Sequence, residues 1–182
     1  MRILRRPFGN PQTPMFRNIR YYRLDTDWPG DEEALCQLLE QAAFKPCGPL
    51  TDRSSGWMPV ADETDLLARR VNGADLLKLR SQSRVLPAAI NEELGVRIED
   101  YKQRMGEAPS ASEKRRLKVE TRDELLPKAM LKSDKIWGYF DLKEKLIGID
   151  TATESVAERF LNRLRSPFGD LNVRPLQFAQ PM

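Results

Sequence analysis

The chain has 182 residues, enough to bury the core of one or two domains, and its 30 basic and 27 acidic residues give a net charge of +3. It has no histidine and only two cysteines, Cys36 and Cys47, which excludes Cys–His and Ser–His nucleophile pairs and a complete structural zinc site. The apolar runs are too short to cross a membrane, and no signal-peptide pattern follows the basic N-terminus. We therefore expect a soluble, cytoplasmic protein with reduced, structural cysteines.

The first part of the chain predicts a sheet domain over residues 15–86, preceded by a flexible extension over residues 1–14. FRNIRYYRL is typical of a first strand, and PGDEEALCQLLEQAAF predicts a helix that Gly30 or Asp31 caps. The segments GWMPV, LLARRV and DLLKLRS predict short strands. Asn72-Gly73 favours a tight turn that joins the last two strands in a hairpin.

Residues 87–134 predict a charged helical arm. AAINEELGVRIEDYKQRM is typical of a charged helix, and Ser110 with Glu113 has the spacing of a capping box that opens a second helix. These helices have too few apolar residues to be buried on all sides.

Residues 135–182 predict a second sheet segment. KIWGYFDL and KLIGID are expected to form a hairpin, and LNVRPLQF a final strand. Between them TESVAERFLNRLR predicts an amphipathic helix with Val156, Phe160, Leu161 and Leu164 facing the core. The complete order of elements predicts an α+β fold with antiparallel sheets, packed helices and a protruding charged arm.

Basic residues in and after the arm are candidates for contacts to DNA phosphates. Lys114, Lys118 and Arg122 are four residues apart and therefore share one face of a helix. The candidates are Lys114, Arg115, Arg116, Lys118, Arg122, Lys128, Lys132 and Lys135. The alternative is that acids of the same helix, Glu113, Glu120, Asp123 and Glu124, neutralise them, and the sequence leaves both interpretations open.

Catalysis is not expected from the sequence. A nuclease needs carboxylates that converge on Mg²⁺, and the available groups are Asp62, Glu63 and Asp65, or Asp134, Asp141 and Asp150. Carboxylates at turns and strand ends are usually ordinary solubilising residues, so neither catalytic residues nor a metal site is expected. The chain also has no P-loop and no GxGxxG pattern, so no cofactor is expected. Trp57 and Trp137 are expected in the core, and Trp28 partly exposed.

A series of short motifs, in this order and spacing, resembles the recombination-associated protein RdgC family. The motifs are FRNIRYYRL, AFKPCG, GWMPV, LLKLRSQSRVLPAAI, ELLPKA, IWGYFD and LIGID. The resemblance runs from about Met15 to about Phe178. It implies that the loop around Cys47 and the turn after Gly56 are signatures of the fold rather than catalytic elements.

The resemblance also implies a function. Proteins of this family bind double-stranded DNA with little sequence preference, form ring-shaped homodimers around the duplex, associate with the nucleoid and restrain recombination by limiting the access of RecA to DNA. Some members are labelled exonucleases, a label that the residues of this chain do not support.

Two departures from the family affect these expectations. The chain is shorter than the proteins it resembles and lacks their C-terminal part, where further DNA contacts and part of the ring closure are expected. Met130 stands where the family often has an aromatic residue at a dimer contact, so the expected interface residues are Leu126 and Met130. An alternative function is a shortened interaction protein that pairs with full-length relatives.

Overall fold

The structure is a computed structural model that describes residues 16–85, 87–169 and 171–176. The predicted extension at residues 1–14 and the end of the predicted final strand lie outside the described residues. The elements follow the order β1 (Ile19–Asp25), α1 (Glu32–Glu40), β2 (Arg53–Trp57), β3 (Ala68–Val71), β4 (Ala74–Arg84), α2 (Pro87–Met105), α3 (Ala111–Leu125), a 3-10 turn (Leu126–Lys128), β5 (Leu131–Asp141), β6 (Leu146–Asp150), α4 (Glu154–Phe168) and β7 (Asn172–Pro175).

The described strands form one seven-stranded sheet, which confirms the α+β class. The order is β2-β4-β5-β6-β1-β7, and β3 pairs with β4. The hairpin predicted at Asn72-Gly73 is confirmed, because β3 and β4 pair antiparallel and both turn residues have positive φ, 52° and 80°. The second hairpin, β5–β6, is also confirmed. The strand predicted over GWMPV is correct only for its first two residues, since β2 ends at Trp57.

The chain divides into two compact units. The described part of unit 1 comprises residues 16–45, 55–81, 134–169 and 171–176, and that of unit 2 comprises residues 46–54, 82–85 and 87–133. Unit 1 holds α1, α4 and most of the sheet, whereas unit 2 holds α2, α3 and the loop that contains Cys47.

The main core lies in unit 1, between one face of the sheet and helices α1 and α4. Phe160, Leu161 and Leu164 of α4 are fully buried, as predicted, whereas Val156 is only partly buried. Each large apolar side chain buried in this way contributes about 1.5–3 kcal/mol relative to exposure. The strands contribute alternate residues, such as Ile147 and Ile149 of β6.

Two segments singled out in the sequence, AFKPCG and GWMPV, meet in the structure. The Phe44 backbone N–H donates to the Trp57 carbonyl at 2.9 Å, and the Trp57 N–H donates to the Ala42 carbonyl at 3.0 Å. Trp57 is buried, as predicted, and its ring meets Phe160 edge to face at 5.0 Å. This pairing gives the Gly-Trp sequence a structural role.

Both cysteines are free thiols with ordinary structural surroundings. Cys36 is buried in the core, where its sulfur accepts a hydrogen bond from the Ala68 N–H at 3.4 Å. Cys47 is half-buried in unit 2, and its backbone N–H donates to the side chain of Gln82 at 3.2 Å.

Candidate nucleic-acid interface

Helix α3 begins at the capping box predicted from the sequence. The Ser110 hydroxyl accepts from the Glu113 N–H at 3.3 Å, and the Glu113 carboxylate accepts from the Ser110 N–H at 2.9 Å. This cap fixes the start of the helix, so Lys114, Lys118 and Arg122 fall on one side of it.

Three cations of α3 are exposed and available to a ligand. Lys114, Arg115 and Lys118, which we name the α3 cation cluster, have exposed side chains. No hydrogen bond or ion pair engages the side chain of any of the three within residues 16–85, 87–169 and 171–176.

The other two predicted cations of α3 are paired. Arg116 lies 3.5 Å from Glu120 one turn further on, and Arg122 lies 3.2 Å from Asp52. Such exposed pairs are worth at most about 1 kcal/mol and can exchange for a phosphate contact. Arg116 and Arg122 are therefore weaker candidates than the α3 cation cluster.

Two acids of α3, Glu113 and Glu124, bind groups outside the α3 cation cluster. Glu124 is bound by Arg97 of α2, which holds the pKa of Glu124 below its usual range. Glu113 accepts the hydroxyl of Tyr101 on α2, and this bond, with those from Ser110, lowers the pKa of Glu113 to about 2. The two bonds join α2 to α3 within unit 2, and the guanidinium of Arg97 compensates the charge of Glu124.

The remaining predicted contacts lie beyond α3. Lys128 is exposed in the 3-10 turn, and Lys132 is exposed on β5. Lys135 is also exposed on β5 but belongs to unit 1, whereas the seven other candidates belong to unit 2.

The expected interface residues differ sharply in exposure. Leu126 is fully buried within the chain, so its side chain is a core residue and cannot serve as the interface contact expected from the sequence. Met130 is 80% exposed, and Leu131 and Val85 are exposed with it. The Val85 N–H donates to the Met130 carbonyl at 3.0 Å, so these residues form one apolar patch, which we name the Met130 patch.

The sequence did not single out Lys78, which lies in the middle of β4. Its neighbours Leu77 and Leu79 face the main core, so Lys78 projects from the opposite face of the sheet, which we name the open sheet face. Lys78 is only 4% exposed, and its Nζ lies 5.1 Å from the centroid of the Trp137 ring. A charged residue between leucines in LLKLR was the available signal, since strict alternation places it on a different face.

Two tyrosines also lie on the open sheet face, where Tyr139 packs against the same cluster as Trp137. The Tyr139 and Tyr21 hydroxyls are 3.2 Å apart, on either side of Gly148 of β6. A Cβ at Gly148 would lie 2.7 Å from the Tyr139 ring, so glycine allows this ring to lie against the sheet. Burial and the hydrogen bond with Tyr21 raise the pKa of Tyr139 above its usual range.

The tryptophans occupy three different environments. Trp57 is in the main core, and Trp137 is half-buried in the small cluster on the open sheet face. Trp28 is partly buried, stacks between Phe140 and Phe168, and donates its indole N–H to Asp75 at 2.7 Å.

The carboxylates considered for a metal site have other roles or lie apart. Asp141 accepts from the N–H groups of Lys143 and Glu144 at the β5–β6 turn, both at 2.9 Å. Asp150 accepts from two backbone N–H groups near the start of β1, both at 3.0 Å. In the described ranges, no three His, Cys, Asp or Glu side chains form a group that could hold a metal ion. Asp62, Glu63 and Asp65 lie in the loop between β2 and β3.

Comparison with known proteins identifies the family. The family model described as "Putative exonuclease, RdgC" matches residues 15–182. The chain belongs to the RdgC family. Curated relatives that share the name recombination-associated protein RdgC include those of Halorhodospira halophila (32% identical over 161 residues) and Haemophilus influenzae (34% over 165 residues). The RdgC protein of Edwardsiella ictaluri is 32% identical over 169 residues.

The match covers most of this chain but only part of each RdgC relative. It includes 88%, 90% and 92% of the chain for the proteins of H. halophila, H. influenzae and E. ictaluri, and 53%, 55% and 56% of those proteins. The chain thus spans little more than half the length of these relatives. None of the described helices is both long and apolar enough to span a membrane.

Proposed function

We propose that the chain binds double-stranded DNA without sequence preference and that this binding restrains RecA-dependent recombination at the nucleoid. The observation that carries the proposal is the α3 cation cluster, whose side chains are exposed and unpaired in the described structure while Glu113 and Glu124 are bound elsewhere. Lys and Arg on a helix surface bind phosphates without reading bases. The names of the relatives, which refer to recombination, support a role at DNA.

We assign the chain a binding role rather than a nuclease activity. The carboxylates of Asp141 and Asp150 already accept backbone N–H groups at a turn and near a strand start, which accounts for their positions without catalysis. The relatives are also named for recombination and not for an enzyme activity.

Self-association through the Met130 patch is the second part of the proposal. Met130, Leu131 and Val85 expose apolar surface at neighbouring positions of unit 2, and methionine adapts its shape to an apolar contact. A second copy of the chain would give a homodimer, and a longer relative would give a mixed assembly.

The DNA-binding proposal is tested by the dependence of affinity on salt. The logarithm of the binding constant falls linearly with the logarithm of salt concentration, and each phosphate contact adds about −0.9 to the slope. The double variant Lys114→Gln/Lys118→Gln should therefore make this slope shallower by up to about 1.8, equally for two unrelated duplexes. Fluorescence anisotropy with a labelled duplex over a KCl series measures the slope.

A matched control removes the same charge from the neighbouring helix. Lys102 and Arg104 on α2 are exposed but bonded to Glu99 and to the Asp100 carbonyl, at 3.1 and 3.4 Å. Lys102→Gln/Arg104→Gln should leave the slope nearly unchanged. Equal effects of the two double variants would show that only the net charge matters and would refute the assignment to α3. A RecA strand-exchange assay with the same proteins tests the restraint of recombination.

A further inference from the structure

Lys78 is buried, and its ammonium has no hydrogen-bond acceptor among the described residues. It lies in the middle of β4 and is 4% exposed, between two leucines that are part of the main core on the other face. Among residues 16–85, 87–169 and 171–176, no acceptor of a hydrogen bond from its ammonium is present. Buried lysines without a paired acceptor are rare, because removing an ammonium from water is costly.

The surroundings of Lys78 offset this cost only in part. Its ammonium lies over the Trp137 ring, which attracts a cation, but that ring packs in an apolar cluster with Val60 and Leu76. The two charged groups that act on it are Lys135 of β5, which repels it, and Asp62 of the β2–β3 loop, which attracts it. Burial and Lys135 together lower the pKa of Lys78.

The ammonium of Lys78 still reaches the surface. The fully buried side-chain nitrogens that lack a hydrogen bond in the described part of the chain are Trp57 Nε1 and Arg163 Nε, and Lys78 Nζ is not one of them. Lys135, which repels Lys78, is exposed. An anion that approaches Lys135 would thus meet a second, poorly hydrated ammonium with all three N–H groups available.

We propose that Lys78, which lies over Trp137, and the exposed Lys135 form an anion site on the open sheet face that binds a phosphodiester group of DNA. The proposal rests on the proposed DNA-binding function and adds a contact in unit 1 to those of α3 in unit 2. A phosphate oxygen supplies the acceptor that Lys78 lacks, and two ammonium groups suit the charge of a phosphodiester better than either alone. Binding by phosphate only gives no sequence preference.

The test uses a substitution of Lys78 that should raise the stability of the protein but lower its affinity for duplex DNA. Lys78→Met keeps the length of the side chain but removes the charge, and a well-packed apolar residue usually stabilises such a site. The variant should therefore resist denaturant better than the unmodified protein. It should also bind a short duplex more weakly, with a salt slope that is shallower by about 0.9. A folding defect cannot produce this combination.

Two further variants complete the experiment. Lys135→Gln should also make the salt slope shallower by about 0.9, with little change in stability because the side chain is exposed. Lys143→Gln is the control, because Lys143 is an exposed lysine at the β5–β6 turn of the same unit, whose ammonium lies 3.9 Å from Glu144. Its slope should match that of the unmodified protein.

The outcomes separate this site from the proposed function. Duplex binding by Lys78→Met with an unchanged slope would overturn the site and leave the DNA-binding function in place. A Lys78→Met protein that unfolds more readily would also overturn it, because the ammonium would then be a stabilising part of the cluster. If the unmodified protein does not bind duplex DNA at low salt, both the site and the proposed function are wrong.

Discussion

Gly56 of β2 is the position where one added methyl group should damage the fold most. A Cβ at this position would lie 2.4 Å from the Phe44 Cα and 2.5 Å from the Phe44 nitrogen. Both are backbone atoms, so no side-chain rotation can relieve the contact. Gly56→Ala must therefore push the segment around Phe44 away from β2.

The structure gives the magnitude of this effect. Separation breaks two hydrogen bonds, from Phe44 to Trp57 and from Trp57 to Ala42, and each contributes about 1 kcal/mol. Overpacking in a closely packed region costs about 1–3 kcal/mol more. We expect Gly56→Ala to lower the free energy of unfolding by about 3–5 kcal/mol, a large part of the 5–15 kcal/mol of a typical domain.

Denaturant unfolding, followed by circular dichroism, measures this change. Gly95→Ala is the matched control, because a Cβ at this exposed position of α2 meets nothing within 4 Å. Replacing a glycine inside a helix by alanine should raise stability by about 1 kcal/mol. The reasoning fails if Gly56→Ala costs less than about 1 kcal/mol, since the pairing of residues 42–44 with Trp57 would then tolerate a methyl group.

Two further predictions concern unit 2. Bonds from Tyr101 and Ser110 hold the pKa of Glu113 at about 2, so its stabilising effect is present above about pH 4.5 and is lost as the pH falls towards 2. Glu113→Gln should therefore flatten the fall of Tm between pH 5 and pH 3, and an unchanged pH profile would contradict this. Met130→Glu should reduce self-association measured by light scattering, whereas Val96→Glu, at an exposed position of α2, should not. A monomeric unmodified protein at high micromolar concentration would rule out the interface.

Elements with strong local signals were predictable from the sequence. Asn72-Gly73 has the residues that a positive-φ turn requires, and Ser110 has the capping spacing that the structure shows. The stripe of Phe160, Leu161 and Leu164 repeats with the helical period, so the buried face of α4 was evident. In each case the residues that give the signal are close together in the sequence. The interactions that fix the local structure join these same residues.

Features that depend on distant residues were not predictable. The burial of Leu126 depends on the fold of unit 2, and a leucine in a charged segment looks equally suited to a contact with a partner. β4 continues to Arg84 because pairing with other strands supports it, although its sequence becomes polar after Leu79. The environment of Lys78 is not evident from the sequence, because the charges that act on it, Lys135 of β5 and Asp62 of the β2–β3 loop, are distant along the chain.

The charge balance of α3 is the clearest example of a site property that the sequence alone leaves open. Of the five α3 cations, only Arg116 has acids three or four residues away, Glu113 and Glu120, while other acids lie close by along the chain, so the sequence left both a neutral helix and a basic surface open. The structure shows that α2 contacts two of these acids: Arg97 binds Glu124, and Tyr101 binds Glu113. Two negative charges are thereby engaged, and the cations near them stay exposed on α3. Removing the Arg97 contact should free Glu124 to pair with Lys128, the other cation that acts on it, and so weaken duplex binding measured by fluorescence anisotropy, which would show that the packing of α2 on α3 helps to set the charge of the proposed DNA surface.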